Sequence, residues 1–238
     1  MNKLASLRFC IAIIFLAICA TSCQGRINGS LRADGSADLE LDAALEPQIT
    51  LLIQTLARVF GNSSPQGPLI DGPAIGAAMA TAPGVASASL RNVTPTAIAG
   101  TVRLSQVNAF LASPSMGGTQ FIQYSPTGSL RVSIDKQSGT RLLTLFTPEV
   151  TDYLLALMAP VATGEELAKE EYLTLVEAIY GKAVADEIDG SQVQLILELP
   201  RPVRTIRGGT YQGRRAQFSI ALADLLVLER PLVYEVTW

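Results

Sequence analysis

The sequence predicts an α+β fold, in which an antiparallel β-sheet has an inserted helical hairpin packed against it. Alternating apolar and polar residues, separated by short turn signals, occur before residue 146 and again over residues 190–238. Between these two regions, residues 147–182 carry apolar side chains at helical spacing. Strand groups flanking a separate helical segment are typical of the α+β class.

The N-terminal half, residues 23–146, is predicted to contain hairpins and short helices. Residues 26–41 alternate around Asp34-Gly35, a two-residue turn signal. Pro47 suits the first position of a helix that continues to Gly61. The other elements predicted here are a short helix at 73–80, paired strands at 85–93 and 96–104, a short helix capped by Ser105, a hairpin of 119–125 with 129–136, and a strand at 140–146.

The helical hairpin at 147–182 is predicted from its start and stop signals. Thr147-Pro148 starts the first helix and Pro160 ends it. Thr163-Gly164-Glu165-Glu166 fits a capping box for the second helix, which Gly181 closes.

The C-terminal β region, residues 190–238, begins with a strand that alternates over 192–199. A hairpin of 203–207 with 214–220 is predicted around the glycine-rich segment 208–213, followed by a short helix at 222–228. The last strand, 232–238, ends on Trp238, which we expect on its buried face. Residues 23–238 are interpreted as a single domain.

The first 22 residues have the parts of an export signal peptide. Lys3 and Arg8 supply positive charge, and an unbroken apolar run covers residues 9–20. This run is shorter than the roughly 20 residues that a membrane-spanning helix needs. The next residues, Ala20-Thr21-Ser22-Cys23, resemble the lipobox of bacterial lipoproteins, in which the cysteine is acylated and the chain is cut just before it.

The lipobox resemblance implies lipid attachment at Cys23 and a place in the membrane of the bacterial envelope. Gln24 follows the cysteine in place of the aspartate that signals inner-membrane retention in enteric bacteria, which favours the outer membrane. With the export signal, the resemblance implies the outer membrane or periplasmic face and not the cytoplasm. Cys19 is the weaker candidate because bulky Ile18 precedes it, whereas small Ser22 precedes Cys23. The alternative is an ordinary secretory signal cleaved nearby, which would leave Cys23 as a free thiol.

Composition excludes several classes of function. All three cysteines lie within the first 23 residues and histidine is absent, so we predict neither a disulfide nor Ser-His, Cys-His or His-metal chemistry in the body. The chain has 18 basic and 21 acidic residues, which argues against nucleic-acid binding. We predict no cofactor, no metal site and no catalytic residue. A hydrolase with paired carboxylates is the distant alternative.

Arginine is concentrated between residues 201 and 215 of this acidic chain. One interpretation is a patch that meets anionic lipid headgroups or an acidic partner. The alternative is a solvated hairpin edge, whose charges prevent strand-to-strand aggregation. The residues of the patch are Arg201, Arg204, Arg207, Arg214 and Arg215.

Residues 190–218 resemble the LppM-type domain of bacterial exported lipoproteins. The carrying features are the strand Val193, Leu195, Leu197 and Leu199, then Pro200, Pro202-Val203, Gly208-Gly209 and the strand from Arg214. The resemblance implies a β-rich sheet on helices with an apolar cavity, and lipid or glycolipid binding. It implies no ligand-binding residue.

These observations favour a lipid-anchored, non-enzymatic envelope protein that binds an apolar or amphipathic ligand or a membrane surface. The second hypothesis is a scaffold or assembly protein that contacts another envelope protein.

Overall fold

Two β-sheets and a separate cluster of helices make up the computed structural model, which describes residues 25–59, 68, 70–113, 121–143 and 148–238. The predicted α+β class is confirmed. The predicted signal peptide and Cys23 lie outside the described residues.

The larger sheet, sheet A, has seven strands in the order β3-β4-β2-β1-β7-β10-β9. One neighbouring pair, β1 with β7, is parallel, and the others are antiparallel, so the sheet is mixed rather than purely antiparallel. The strands are β1 Gly25–Leu31, β2 Ala37–Ala44, β3 Val85–Thr94, β4 Ala97–Leu104, β7 Gln192–Glu198, β9 Gly209–Gln212 and β10 Arg215–Ala221.

The smaller sheet, sheet B, has four antiparallel strands in the order β5-β6-β11-β8. They are β5 Ile122–Ser125, β6 Ser129–Ile134, β8 Thr205–Arg207 and β11 Leu232–Thr237. Nine helices lie within the described ranges: α1 Pro47–Val59, α2 Gly72–Ala80, α3 Val107–Leu111, α4 Lys136–Leu143, α5 Pro148–Ala156, α6 Pro160–Thr163, α7 Lys169–Tyr180, α8 Lys182–Gly190 and α9 Leu222–Val227.

The core between the two sheets is aromatic at its centre. Phe218 of sheet A meets Tyr234 of sheet B edge to face, with ring centroids 6.0 Å apart. Trp238 stacks on Tyr124 at 6.4 Å and is only 2% exposed, as the alternation of the last strand predicted. Burial of these rings and of the aliphatic side chains around them stabilises the contact between the sheets.

A second core joins the helices to each other at one end of sheet A. Tyr172, Val176 and Ile188 are fully buried there. Three of the helices connect directly to that end of the sheet, because α1 follows β2, α8 precedes β7, and α9 follows β10. We call this end, which also carries Gly25, the helical end.

Glu187 of α8 caps the N-terminus of α1. Its carboxylate oxygens accept hydrogen bonds from the backbone N–H groups of Gln48 at 3.1 Å and Ile49 at 2.8 Å. These are two of the donors that a helix start leaves without an intrahelical acceptor. One side chain therefore fastens α1 to α8.

Replacing Glu187 with Gln is expected to lower the free energy of unfolding by about 1–2 kcal/mol, because two charge-assisted hydrogen bonds lose their anion. Urea denaturation followed by circular dichroism measures the change. Glu40→Gln is the matched control, since Glu40 is exposed on β2. An equal effect of both substitutions would contradict the capping role.

The structure confirms, within a few residues, the paired strands at 85–93 and 96–104, the helix start at Pro47, and the elements predicted at 73–80, 192–199, 222–228 and 232–238. The hairpin of 119–125 with 129–136 is confirmed as β5 and β6. Residues 119–120 and Gly61, the predicted end of the first helix, lie outside the described residues. In the first hairpin the turn is longer than predicted. Residues 32–36 connect the strands, and Arg32 N–H donates to Ser36 O at 2.9 Å. Ser105 does not cap α3; its hydroxyl instead bonds to the carbonyl of Gly84 at 3.1 Å.

The predicted strand at 140–146 is wrong over residues 140–143, which belong to helix α4, and residues 144–146 lie outside the described residues. The helix starts because Asp135 caps it: Oδ1 accepts from Ser138 N–H at 2.7 Å, and the carbonyl accepts from Gly139 N–H at 2.7 Å. The hydrogen bonds from the Ser138 backbone and hydroxyl hold the pKa of Asp135 below its usual value.

The predicted capping box at 163–166 is also wrong, and the helical region has more segments than a hairpin. Gly164 adopts a left-handed φ of 77° and ends α6, so the next helix starts only at Lys169. Glu171 then accepts from the N–H of Ala168 at 3.1 Å. Pro160 begins α6 rather than ending a helix, and α8 follows α7 directly after Gly181.

The predicted hairpin of 203–207 with 214–220 is wrong as well. Residues 205–207 pair with β11 in sheet B, and the partner of β10 is β9 in sheet A. Gly208 lies between them with a left-handed φ of 76°. A Cβ on Gly208 would lie 2.8 Å from the carbonyl oxygen of Val233, so the chain passes from one sheet to the other where only glycine fits.

Candidate functional site

A row of apolar side chains crosses the inner face of sheet A at the level of Ile27. The register places Ile27 between Leu41 and Leu195, and Leu195 beside Phe218. Leu90 lies at the β3 end of the row. Leu90 and Phe218 are buried, at 7% and 3% exposure, whereas the three residues between them are only half-buried. The middle of the row is therefore less completely covered than its flanks.

The half-buried surface extends to the neighbouring levels of the same strands. On β2, Leu39 is two residues from Leu41 and lies nearer the β1–β2 turn. On β7, Val193 is two residues from Leu195 and lies beside Gly25 at the helical end. We call this surface the inner trough; it consists of Ile27, Leu39, Leu41, Val193 and Leu195.

Two glycines on this face allow close packing of the neighbouring strands. A Cβ on Gly100 would lie 2.0 Å from the carbonyl oxygen of Ser89, so β4 can approach β3 there only without a side chain. A Cβ on Gly29 would lie 2.7 Å from Cδ2 of Leu197 and 3.0 Å from Cδ2 of Leu39. These two leucine side chains therefore occupy the space above Gly29.

Two buried hydroxyl groups in and beside this core have no hydrogen-bond partner among the described residues. They are Oγ of Ser113, which is 2% exposed, and the phenolic OH of Tyr124. Burial, followed by the negative charge of Asp34, raises the pKa of Tyr124, so its phenol stays protonated. A buried donor without a partner costs about 1–3 kcal/mol, so both hydroxyls favour a polar group or water beside them.

The five predicted arginines are all exposed, but they do not share one hairpin. Arg201 and Arg204 lie on the segment that enters sheet B, and Arg207 ends β8 opposite Glu235. Arg214 and Arg215 lie at the turn and start of the β9–β10 hairpin in sheet A.

Four of the five arginines meet at one corner of the molecule, whereas Arg207 lies three residues beyond Arg204, at the other end of β8 beside Gly208. Val203 N–H donates to the carbonyl of Gly213 at 2.9 Å, which brings the segment of Arg204 beside the turn of Arg214. Arg214 is paired with Glu198 at 3.0 Å; among the described residues no ion pair joins the other four to a carboxylate. We call this corner the arginine corner.

A small polar cleft of about 170 Å³ lies between α7 and the segment after α9. Lys169 is its central cation, with Nζ 3.5 Å from Asp224 and 3.6 Å from Asp189. Glu229 accepts from the N–H of Lys169 at 3.2 Å. The cleft is smaller than the ~300–1,000 Å³ of typical ligand pockets, and its central cation already pairs with two carboxylates.

The chain has no histidine, and the described ranges hold no group of three metal-ligating carboxylate or cysteine side chains. No helix in those ranges is both long enough and apolar enough to span a bilayer.

Comparison with models of known families finds no match, and neither does comparison with curated proteins. Among solved structures, the chain is similar to the NMR structure of the folded domain of Mycobacterium tuberculosis LppM. The sequences are 13% identical, the TM-score is 0.40, and the alignment covers 90% of this chain and 86% of that one.

Sequence reasoning missed the inner trough as a site. Alternation identifies the inward residues of β1, β2 and β7, but it treats a half-buried leucine and a buried one alike. Gly29 and Gly100 also fall on the apolar face of their strands, but neighbouring residues fill the space above them, so glycine does not mark the trough.

Proposed function

We propose that the protein is a lipid-anchored, non-enzymatic protein of the bacterial envelope that holds an apolar or amphipathic ligand in the inner trough. The observation that carries this proposal is the half-buried centre of the Ile27 row between buried flanks. Apolar surface on the sheet that is still accessible to solvent contributes a favourable free energy of about 25 cal/mol per Å² when a ligand covers it. An acyl chain has the chemistry to supply that cover.

The buried hydroxyls of Tyr124 and Ser113 support an amphipathic ligand over a purely hydrocarbon one. Both are donors that lack a partner among the described residues, and Tyr124 packs against the same core as Leu39, Leu41 and Leu195. A carboxyl, ester or hydroxyl group on the ligand would satisfy them. The trough would then hold the apolar part.

The anchor at Cys23 rests on the lipobox resemblance. The chain after residue 23 contains no further cysteine, which supports it. Because a single acyl chain holds a protein only marginally, attachment of several chains is needed for a stable anchor. The protein would then stay beside the membrane that contains its apolar ligand.

Mass spectrometry tests both parts. The full chain is expressed in a bacterial host that acylates exported proteins and is purified in mild detergent. Its intact denatured mass should correspond to a chain that begins at acylated Cys23, and native spectra should show a second, releasable lipid. An unmodified mass would refute the anchor, and a native mass without bound lipid would refute the ligand.

The scaffold hypothesis remains as a second candidate because of the arginine corner. Three exposed arginines there, Arg201, Arg204 and Arg215, have no carboxylate partner among the described residues, which suits an acidic protein surface. Crosslinking in cells should then recover one abundant envelope protein, and its recovery should fall in an Arg201→Gln/Arg215→Gln variant. Recovery that is unchanged in this variant would contradict a role for the corner.

A further inference from the structure

The position of Gly25 determines which end of the molecule lies near an anchor at Cys23. Only Gln24 separates the two residues, and a fully extended chain advances at most ~3.6 Å per residue. Gly25 is the first residue of β1 and pairs with Ala43 and Val193 at the helical end of sheet A. An acylated Cys23 would therefore hold the helical end within roughly 7 Å of the lipid.

From this placement we infer that the helical end contacts the bilayer directly, through exposed apolar side chains of α1, α5 and α7. The inference rests on the acyl anchor of the proposed function. It goes beyond that function because it assigns a bilayer-binding surface and an orientation.

Three of the six exposed large apolar residues of the described chain lie on the helices at this end. Leu51 of α1 is 55% exposed, Leu155 of α5 is 45% exposed, and Ile179 of α7 is 51% exposed. The last two are close together, because the hydroxyl of Tyr180 donates to the carbonyl of Ala156 and so joins the ends of α7 and α5. Helix α1 packs against both α5 and α8.

The helices join sheet A at the same level as the attachment point of the anchor. Helix α8 leads into β7, whose Val193 lies beside Gly25, and the backbone N–H of Leu222 at the start of α9 donates to the carbonyl of Ser191. Apolar groups of interfacial helices lie ~5–10 Å deep in the headgroup region, and a two-residue tether is short enough to hold such helices there.

The arginine corner lies at the opposite end of sheet A. Strand β1 runs parallel to β7, with Gly25 beside Val193 and Ser30 beside Glu198, and Glu198 is the partner of Arg215. Five strand residues, or about 17 Å, separate the two levels. In this orientation the arginines face away from the membrane, so they are available to a partner and not to headgroups of the anchoring leaflet.

Quenching by brominated lipid tests the orientation. The acylated full chain, verified by its intact mass, is reconstituted in phosphatidylcholine vesicles with or without bromine on the acyl chains. Leu155→Trp places a reporter at the helical end, and Leu51→Trp is a second reporter in case the first variant does not fold. Tyr211→Trp is the matched control, because Tyr211 is 51% exposed and pairs with Ala216 next to Arg215. Buried Trp238 is present in every variant as an internal reference.

The tryptophan at position 155 or 51 should lose most of its added emission in brominated vesicles, whereas the one at position 211 should lose almost none. Equal quenching at both ends, or stronger quenching at position 211, would overturn the inference and leave the anchor intact. If the intact mass shows no acyl group, the anchor itself is refuted and the orientation with it, while the trough is still tested by lipid release.

Discussion

Replacing Trp238 with Ala is expected to lower the free energy of unfolding by about 4 kcal/mol, the largest stability effect we predict for a single side chain. Trp238 is 2% exposed, and its indole fills the core at the end where the two sheets meet. Removing the indole eliminates the stacking contact with Tyr124 and leaves a cavity next to Val236. The cavity cannot collapse, because β11 is hydrogen-bonded to a strand on each side.

Guanidinium denaturation followed by far-ultraviolet circular dichroism measures this loss, since the variant no longer has a tryptophan for fluorescence. Tyr211→Ala is the control: it also removes an aromatic side chain, but one that is 51% exposed, and its cost should stay below about 1 kcal/mol. A similar cost for both variants would show that the aromatic core between the sheets does not dominate stability.

Local patterns were sufficient for the long strands and for several helix starts. The alternation over 192–199 predicts β7 because Leu195, Leu197 and Leu199 face the core between the sheets. The burial of the outward Ile196, at 6% exposure, does not follow from that pattern. The Pro47 signal succeeds for the same reason, since its ring is favourable where no intrahelical N–H bond is needed. In each case the residues that determine the element lie within it.

The pairing of strands that are distant in sequence could not be predicted from turn signals. Strand β1 lies parallel to β7, about 160 residues later in the chain, and no local feature of either strand specifies that neighbour. The same limit explains the error at 203–207. The glycines at 208 and 209 resemble a hairpin turn, but Gly208 redirects the chain from sheet B to sheet A.

Helix boundaries were predicted wrongly where the same residues fit two different local structures. Ser138-Gly139 suggests a turn, yet Asp135 three residues earlier uses Ser138 N–H as the first bond of a helix. Thr163-Gly164 suggests a helix start, but the left-handed conformation of Gly164 ends a short helix instead. The candidate arginines show the related limit for sites: closeness in sequence placed them on one hairpin, and the fold distributes them over two sheets.

Converting two leucines of the inner trough to glutamine, in a Leu41→Gln/Leu195→Gln variant, is expected to weaken binding of an acyl ligand on the order of 100-fold. Each leucine contributes apolar contact worth somewhat over 1 kcal/mol when a ligand covers it, which is about tenfold in affinity. The amide that replaces it must also lose water without gaining a partner. Glutamine retains most of the volume of leucine. Because both leucines are only half-buried, the sheet is expected to stay folded in the double variant.

Titration of the protein, in solution without vesicles, with a dansyl-labelled fatty acid measures its affinity for the acyl ligand. A thermal melt of each variant verifies that it is folded. Ile179→Gln is the matched control, because it makes the same kind of chemical change at an exposed position of helix α7, outside the trough. If the control weakens binding as much as the double variant, the probe binds a surface patch and not the trough. If neither variant changes the affinity of a protein that does bind the probe, the half-buried centre of the Ile27 row is not the ligand site, and another part of the core must accommodate the acyl chain.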